Sequence, residues 1–335
     1  MIRVFILFIL NILFISSLFS QETNNTTSLE NRMNEYSKNK KLEWSYNPLR
    51  RLESDKYFYG IADPHNYIIR YWVGGVLNSK DLYDNKNFRT EDIYVFHSPK
   101  LASELSVAGF RINDETHRFN IGVAYSALVN LASYVKGKDQ LYGTSFIFGT
   151  YLQVEAYFDY IYNNVLKLRI APVRHISFHT SGDILGDPSL NDKEFRDTGY
   201  EQVHISVAYR YGWLSFYGGS SVAYTGYKKS NFVNIFNIHS GVDIRVPIWG
   251  EISFITGIYF GYNYNEYNLI DRSKGGVGYT VIDSRYMWVP DISFATGFEI
   301  YNFTLAFKYD YVATKQLYVF DKQESKIGFE ASIFF

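Results

Sequence analysis

The sequence predicts an all-β fold, a transmembrane antiparallel up-and-down β-barrel of twelve strands, with ten strands as the alternative count. Three observations predict it. The last ten residues, Lys326 to Phe335, read KIGFEASIFF, with Ile327, Phe329, Ala331, Ile333 and Phe335 apolar and Lys326, Gly328, Glu330 and Ser332 between them. That is a strand with one oily and one wet face, long enough when tilted to cross a bilayer core. Similar alternating runs recur from Tyr67 almost to the end, and the links between them alternate short and long. A soluble sandwich has no reason to sort its loops this way, because both of its ends face the same water.

Composition narrows the class. The chain has 335 residues and a formal net charge of -1, without the basic excess that a nucleic-acid partner needs. It has no cysteine, which excludes disulfides, thiolate metal sites and a lipidated N-terminal Cys. Aromatic residues make up 19% of it, a load that suits strands and membrane-interface girdles.

The N-terminus runs from Met1-Ile2-Arg3 into an apolar stretch, Val4 to Phe19, followed by the small residue Ser20. One positive charge ahead of a short apolar core predicts a secretory signal over residues 1–20, cut near Ser20 and Gln21. Residues 21–66 are polar with no sustained period and are expected to form a periplasmic lead-in segment. The barrel is expected over 67–335.

The predicted strands are Tyr67 to Val76, Glu104 to Arg111, Phe119 to Ser133, Ser145 to Tyr162, Val165 to Thr180, Tyr200 to Tyr209, Trp213 to Tyr224, Val233 to Val246, Glu251 to Tyr264, Pro290 to Glu299, Phe303 to Tyr311 and Lys326 to Phe335. Counting back from the C-terminus, the tight links 300–302, 247–250, 210–212, 163–164 and 112–118 fall on the periplasmic side. The longer links 312–325, 265–289, 225–232, 181–199, 134–144 and 77–103 fall outside. The first two strands alternate poorly, which is why ten remains the alternative. Charges at mid-depth belong inside, because a charge on the lipid face costs about 2 to 4 kcal/mol. Lys308, Asp310, Asp243, Arg245, Glu155 and Asp159 all fall on inward positions. Trp213 and Trp249 sit at short turns and Trp288 at an outer strand end, where interfacial aromatics are expected.

One stretch concentrates reactive side chains: Arg174-His175-Ile176-Ser177-Phe178-His179-Thr180-Ser181-Gly182-Asp183. Strand alternation places His175, Ser177 and His179 on one face. The apolar Leu166, Leu168, Ile170, Ile176 and Phe178 predict that this face points into the lumen, unless a bulge at Pro172 reverses the register. With Asp183, Gln202, His204, His239, Asp243 and Arg245, the same residues also read as a hydrogen-bonded luminal network, which a small barrel needs to fill its interior. Imidazoles at i and i+4 of a strand are roughly 13 Å apart, too far to chelate one ion directly, so a metal would need His204 or Asp183 to join; no metal and no cofactor is expected.

Two resemblances rest on these residues. His175-x-Ser177 on a strand resembles the motif of outer-membrane phospholipase A and of the smaller lipid A deacylase barrels. That resemblance implies His175 as base, Ser177 as nucleophile, and an Asn or Glu that orients the imidazole. Phe178 stands where those families carry Asn, and the sequence identifies no third member. His175-x-Ser177-x-His179 leading into Gly182-Asp183, together with Ala62-Asp63-Pro64, resembles an uncharacterised bacterial outer-membrane barrel family, domain-of-unknown-function family twelve-oh-seven. The C-terminal strand ending on Phe335 is similar to the closing strand of outer-membrane barrels, which implies recognition by the barrel-assembly machinery.

The sequence therefore points to an integral outer-membrane barrel in contact with lipid. A structural, surface or narrow-channel role is the first expectation. A lipid-acting ester hydrolase using His175 and Ser177 is the second, and a surface binder working through the long outer loops is the third. Whether the protein is an enzyme stays open at this point.

Overall fold

The computed structural model describes residues 42–45, 53–83, 93–112, 116–134, 144–180, 198–225, 232–271, 280–313 and 323–334. Among them the strands are β1 (Leu42–Ser45), β2 (Ile69–Val76), β3 (Ile93–Ile112), β4 (His117–Tyr134), β5 (Thr144–Tyr162), β6 (Leu166–Thr180), β7 (Thr198–Tyr211), β8 (Leu214–Ala223), β9 (Phe232–Trp249), β10 (Ile252–Asp271), β11 (Thr280–Ile300), β12 (Phe303–Ala313) and β13 (Gln323–Ile333). From β2 to β13 each strand pairs antiparallel with its sequence neighbour, and β13 closes onto β2 through Ile333↔Ile69 to Lys326↔Val76. The result is a closed, twelve-stranded, up-and-down barrel. The weakly alternating run at Tyr67 to Val76 is a true barrel strand, so the ten-strand alternative is set aside. β1 pairs with the edge of β3 below β2, from Leu42↔Ile112 to Ser45↔Gly109.

The tight turns obey local sequence. Asn163 and Asn164 both adopt positive φ, 50° and 54°, which a two-residue hairpin turn of matching twist requires and Asn tolerates. Gly212 and Gly250 serve the next two turns at φ of 58° and 53°. Three strand boundaries depart well from expectation. β10 and β11 continue well into 265–289, and β3 begins at Ile93 inside the expected 77–103 link. Their extra turns of ladder carry polar and aromatic residues such as Asn265, Tyr267, Tyr286 and Trp288, which weaken the period-two signal without stopping β pairing. The signal segment 1–20, Asp183 and Phe335 lie outside the described residues.

The distribution of side chains is that of a membrane barrel. Large apolar residues such as Phe158, Ile170, Ile205, Ile258, Leu305 and Phe329 are exposed around the outside. The inward positions hold buried Glu155, Asp159, Lys167, Arg169, Asp243, Arg245, Lys308 and Asp310. Trp213 and Trp249, at turns, are 63% and 79% exposed. An apolar exterior over a charged interior is stable only where the outside solvent is hydrocarbon.

The lumen is occupied by the chain itself. Residues 53–66, the last part of the expected periplasmic segment, run inside the barrel rather than below it, beginning with a 3-10 turn at Glu53–Phe58. Luminal charges hold them at every step. Arg118 binds the Asp55 carboxylate. Lys56 pairs with Glu299 at 3.1 Å and donates to the Tyr301 carbonyl at 2.9 Å. The Tyr59 hydroxyl donates to Glu104, and Ile61 N–H to Asp243 at 2.8 Å. Arg70 reaches the Asp63 carbonyl at 2.8 Å, and Lys100 the Pro64 carbonyl at 3.2 Å. A polar segment enters here because the barrel interior offers it charged partners that water would otherwise have to solvate. Lys167, Arg169, Asp243 and Arg245, which a conducting pore would present to ions, are all engaged in ion pairs. In a planar bilayer the parent protein is expected to show no open-channel steps, and deletion of residues 21–66 is expected to produce them; steps of equal size from both proteins would contradict a plug at 53–66.

Candidate functional site

The decisive local feature is the irregularity in β6. Ala171 is fully buried, Pro172 and Val173 are both exposed, and Arg174 is buried again. The ladders to both neighbours shift at this point, between Ala171 and Arg174 toward β7 and between Ala156 and Phe158 toward β5. Proline has no N–H to give to a ladder, so two residues are spent where one would serve, and every later side chain changes face. The luminal orientation expected for His175 and Ser177 is thereby corrected. Arg174, Ile176 and Phe178 point inward, and His175 and Ser177 turn to the outer face, where Ser177 is covered by its neighbours and only 8% exposed. His179 pairs with Thr150 near the end of the described strand.

On that outer surface His175 faces Glu201 of β7, its register partner, and the imidazole Nδ1 lies 3.1 Å from the Glu201 Oε1. Their side chains are 46% and 33% exposed, so the pair stands at the surface and is not sealed in the wall. Glu201 is fixed through its backbone: its N–H donates to Thr225 Oγ1 at 3.0 Å, and its carbonyl accepts from Tyr224 N–H at 3.0 Å. Ser177 follows His175 on the same face, roughly 6.6 Å further along the strand. It is paired across the ladders with Leu152 of β5 and Gly199 of β7.

Gly199 explains the tilt of the imidazole. A Cβ at that position would stand 3.3 Å from His175 Cε1 and 3.7 Å from Nε2. The ring edge that carries Nε2 therefore leans over Gly199, the residue directly opposite Ser177. The carboxylate contact at Nδ1 is one of the two contacts that a base-activated hydroxyl needs, the other being a hydrogen bond from the hydroxyl to Nε2.

The other expected site residues fall elsewhere. Gln202 and His204 are buried inside the barrel, on the opposite side of β7 from Glu201. His204 stacks on His239 at 5.7 Å, and His239 on Tyr259 at 5.9 Å. Asp243 and Arg245 bind the luminal segment at Ile61 and Tyr59 and are not part of the imidazole stack. The luminal network expected from sequence thus exists, without His175 and Ser177.

Sequence reasoning missed Glu201, although a signal was present. Gln202 and His204 were read as inward, so Glu201 had to face out. It also missed a second outward chain, in which the Tyr71 hydroxyl meets His97 Nδ1 at 2.7 Å and His97 Nε2 meets Ser133 Oγ at 2.9 Å. There the far nitrogen contacts a neutral phenol. Among the described residues no carboxylate is hydrogen-bonded to His97, so this chain lacks the carboxylate–imidazole contact of the His175–Glu201 pair.

No family model matches the chain, and no curated protein matches it. Among solved structures, it is similar to the outer membrane phospholipase of Salmonella typhi, solved as a dimer with bound calcium. The identity is 9%, covering 84% of this chain and 94% of that one, with a TM-score of 0.46. LpxR from Salmonella typhimurium is 11% identical over 80% of this chain and 99% of its own, with a TM-score of 0.36. A mutant Rh. blastica porin is 8% identical over 79% and 98%, with a TM-score of 0.23. Likeness at this level says nothing about the site. Fold and apolar exterior together define an integral membrane β-barrel.

Proposed function

We propose that this chain is an outer-membrane barrel that hydrolyses acyl esters of membrane lipids at a serine site on its lipid-facing wall. Ser177 is the nucleophile, His175 the general base and acid, and Glu201 the group that orients the imidazole. The observation that carries the reading is the outward His175–Glu201 pair, beside Ser177 on the same face. Ser177 Oγ attacks the ester carbonyl while His175 Nε2 takes its proton. The imidazolium, stabilised by Glu201, returns a proton to the departing alcohol, and water then cleaves the acyl-enzyme by the same route. Placement on the outer wall brings an ester held in the membrane to the nucleophile without leaving the bilayer. A channel role is less favoured, because the luminal cations that would line a pore are paired and residues 53–66 occupy the lumen.

The test is release of fatty acid from phospholipid and from lipid A by the refolded full chain in mixed micelles. Activity in the parent, lost in His175→Ala with heat-modifiable gel migration retained, is the expected result. Glu201→Gln keeps the shape but removes the charge and is expected to lower kcat about a hundredfold to ten-thousandfold with little change in KM. Gly199→Ala pushes the imidazole by a few tenths of an ångström and is expected to lower kcat about tenfold. No turnover of either lipid by the folded parent would overturn the proposal.

A further inference from the structure

A second serine on the outer wall stands in direct contact with an imidazole. Ser133 Oγ of β4 lies 2.9 Å from His97 Nε2 of β3, and His97 Nδ1 lies 2.7 Å from the Tyr71 hydroxyl of β2. The three residues run diagonally across neighbouring strands. His97 is opposite Val73 of β2 and Leu131 of β4, so Tyr71 and Ser133 are its diagonal neighbours, within reach of long side chains. The Tyr71 ring also rests against the imidazole, with centroids 5.9 Å apart, and is 45% exposed.

These contacts supply what an acyl transfer requires of a serine. With Nε2 accepting the Ser133 hydroxyl proton, Nδ1 carries the ring hydrogen and donates it to the Tyr71 oxygen, which fixes both tautomer and ring plane. The pairing of β3 with β4 shifts register between Ile93 and Val95, and Val95 is the residue opposite Ser133. Tyr94 therefore stands outside the ladder, leaving unpaired main chain beside the serine, where a developing oxyanion needs a donor.

We infer that Ser133 and His97 form a second acyl-transfer centre, oriented by Tyr71, which hydrolyses small water-soluble esters of acidic alcohols. Depth selects soluble substrates. Through β5, Ser133 is opposite Ser145 and Ser177 is opposite Leu152, seven residues nearer the periplasmic end. At about 3.3 Å per residue and a tilt of about 40°, that sets Ser133 roughly 18 Å further out than Ser177. His175 is nine residues up β6 from Leu166, about 23 Å by the same measure, already near the edge of an apolar band about 25 Å tall. Ser133 thus lies beyond the hydrocarbon. Chemistry selects the leaving group. Tyr71 orients the imidazole without the charge that stabilises an imidazolium, so proton return to the alcohol is poorly assisted and an alcohol that leaves readily, such as a phenol, is favoured. Ser133 Oγ attacks the ester carbonyl as His97 Nε2 takes its proton, and that proton departs on the alcohol. Water then attacks the acyl-serine, gives a proton to His97, and releases the acid as Ser133 recovers it.

The experiment is hydrolysis of p-nitrophenyl acetate by the refolded full chain carrying Ser177→Ala, so the result does not depend on the lipid-ester reading. Turnover is expected in that chain, and addition of Ser133→Ala or His97→Ala should lower it about a hundredfold or more. Tyr71→Phe keeps the ring and removes the acceptor. It should lower kcat about tenfold with KM unchanged, the mark of a positioning residue. Acid quenching should trap an acetyl group on the peptide carrying Ser133. If Ser133→Ala fails to fold, as judged by gel migration, Ser133→Gly and the acetyl-peptide measurement decide. Turnover by the folded Ser177→Ala chain that is absent, or untouched by loss of the Ser133 hydroxyl, overturns the inference. So does an acetyl group found on His97 and never on Ser133.

Discussion

Ser177→Ala is expected to reduce lipid ester hydrolysis roughly ten-thousandfold or more in kcat, to the level left by binding alone. The variant removes one oxygen from a position already lined by Leu152 and Gly199, so the barrel should fold and migrate as the parent does. His175→Ala should cost about as much, and the double variant scarcely more, because nucleophile and base act as one unit. Ser133→Ala should retain parental turnover. Its partner His97 is held by Tyr71 rather than by a carboxylate, although Ser133 Oγ lies 2.9 Å from His97 Nε2. Steady-state release of fatty acid in mixed micelles checks all four variants. Parental turnover in Ser177→Ala with loss in Ser133→Ala would move the chemistry to the other chain of residues.

Arg169→Ala is expected to be the most damaging change to the barrel interior. The guanidinium binds Asp159 through Nε at 2.6 Å and through a second nitrogen at 2.7 Å, Glu104 at 2.7 and 2.9 Å, and Glu155 at 3.1 Å. It also lies 4.0 Å from the centre of the Tyr157 ring. Removing it takes the shared guanidinium away from three buried carboxylates, Asp159, Glu104 and Glu155, and one buried pair broken on one side costs about 3 to 5 kcal/mol. Tyr59, which donates to Glu104 and receives the Lys167 ammonium at 3.2 Å, is part of the luminal plug, so the same variant should loosen residues 53–66. The checks are the urea midpoint of unfolding in lipid and the protease sensitivity of the N-terminal segment. Arg169→Met, which also removes the charge those carboxylates share, should be nearly as damaging, whereas an unchanged midpoint in both would contradict the network.

The barrel was legible because its signals are local and repeated. Period-two alternation marks each strand, the terminal Phe-bearing strand marks the end, and short turns such as Asn163-Asn164 carry the residues that positive φ demands. The inward charges followed from the cost of a charge in hydrocarbon, and Lys308, Asp243 and Glu155 lie where that cost puts them. The site was only half legible. His175 and Ser177 stand out as residues, but their face depends on one bulge, and carrying the alternation through Pro172 reverses every side chain after it. Ile176 and Phe178 then look like lipid-facing residues, although they pack inside against Tyr151 and Tyr200. Glu201 was hidden for a related reason: its pairing with His175 is a register fact across a long hairpin, which no spacing along the chain encodes. The plug was not legible, since a polar stretch without periodicity reads the same whether it meets water or a charged lumen.

The most direct measurement is covalent labelling of the folded barrel with a lipid-like fluorophosphonate, followed by peptide mass spectrometry. An adduct on the peptide carrying Ser177, absent in His175→Ala and slowed in Glu201→Gln, is the predicted result. An adduct confined to Ser133, or no serine adduct on a barrel that has folded, would contradict a hydrolase site on the outer face of β6.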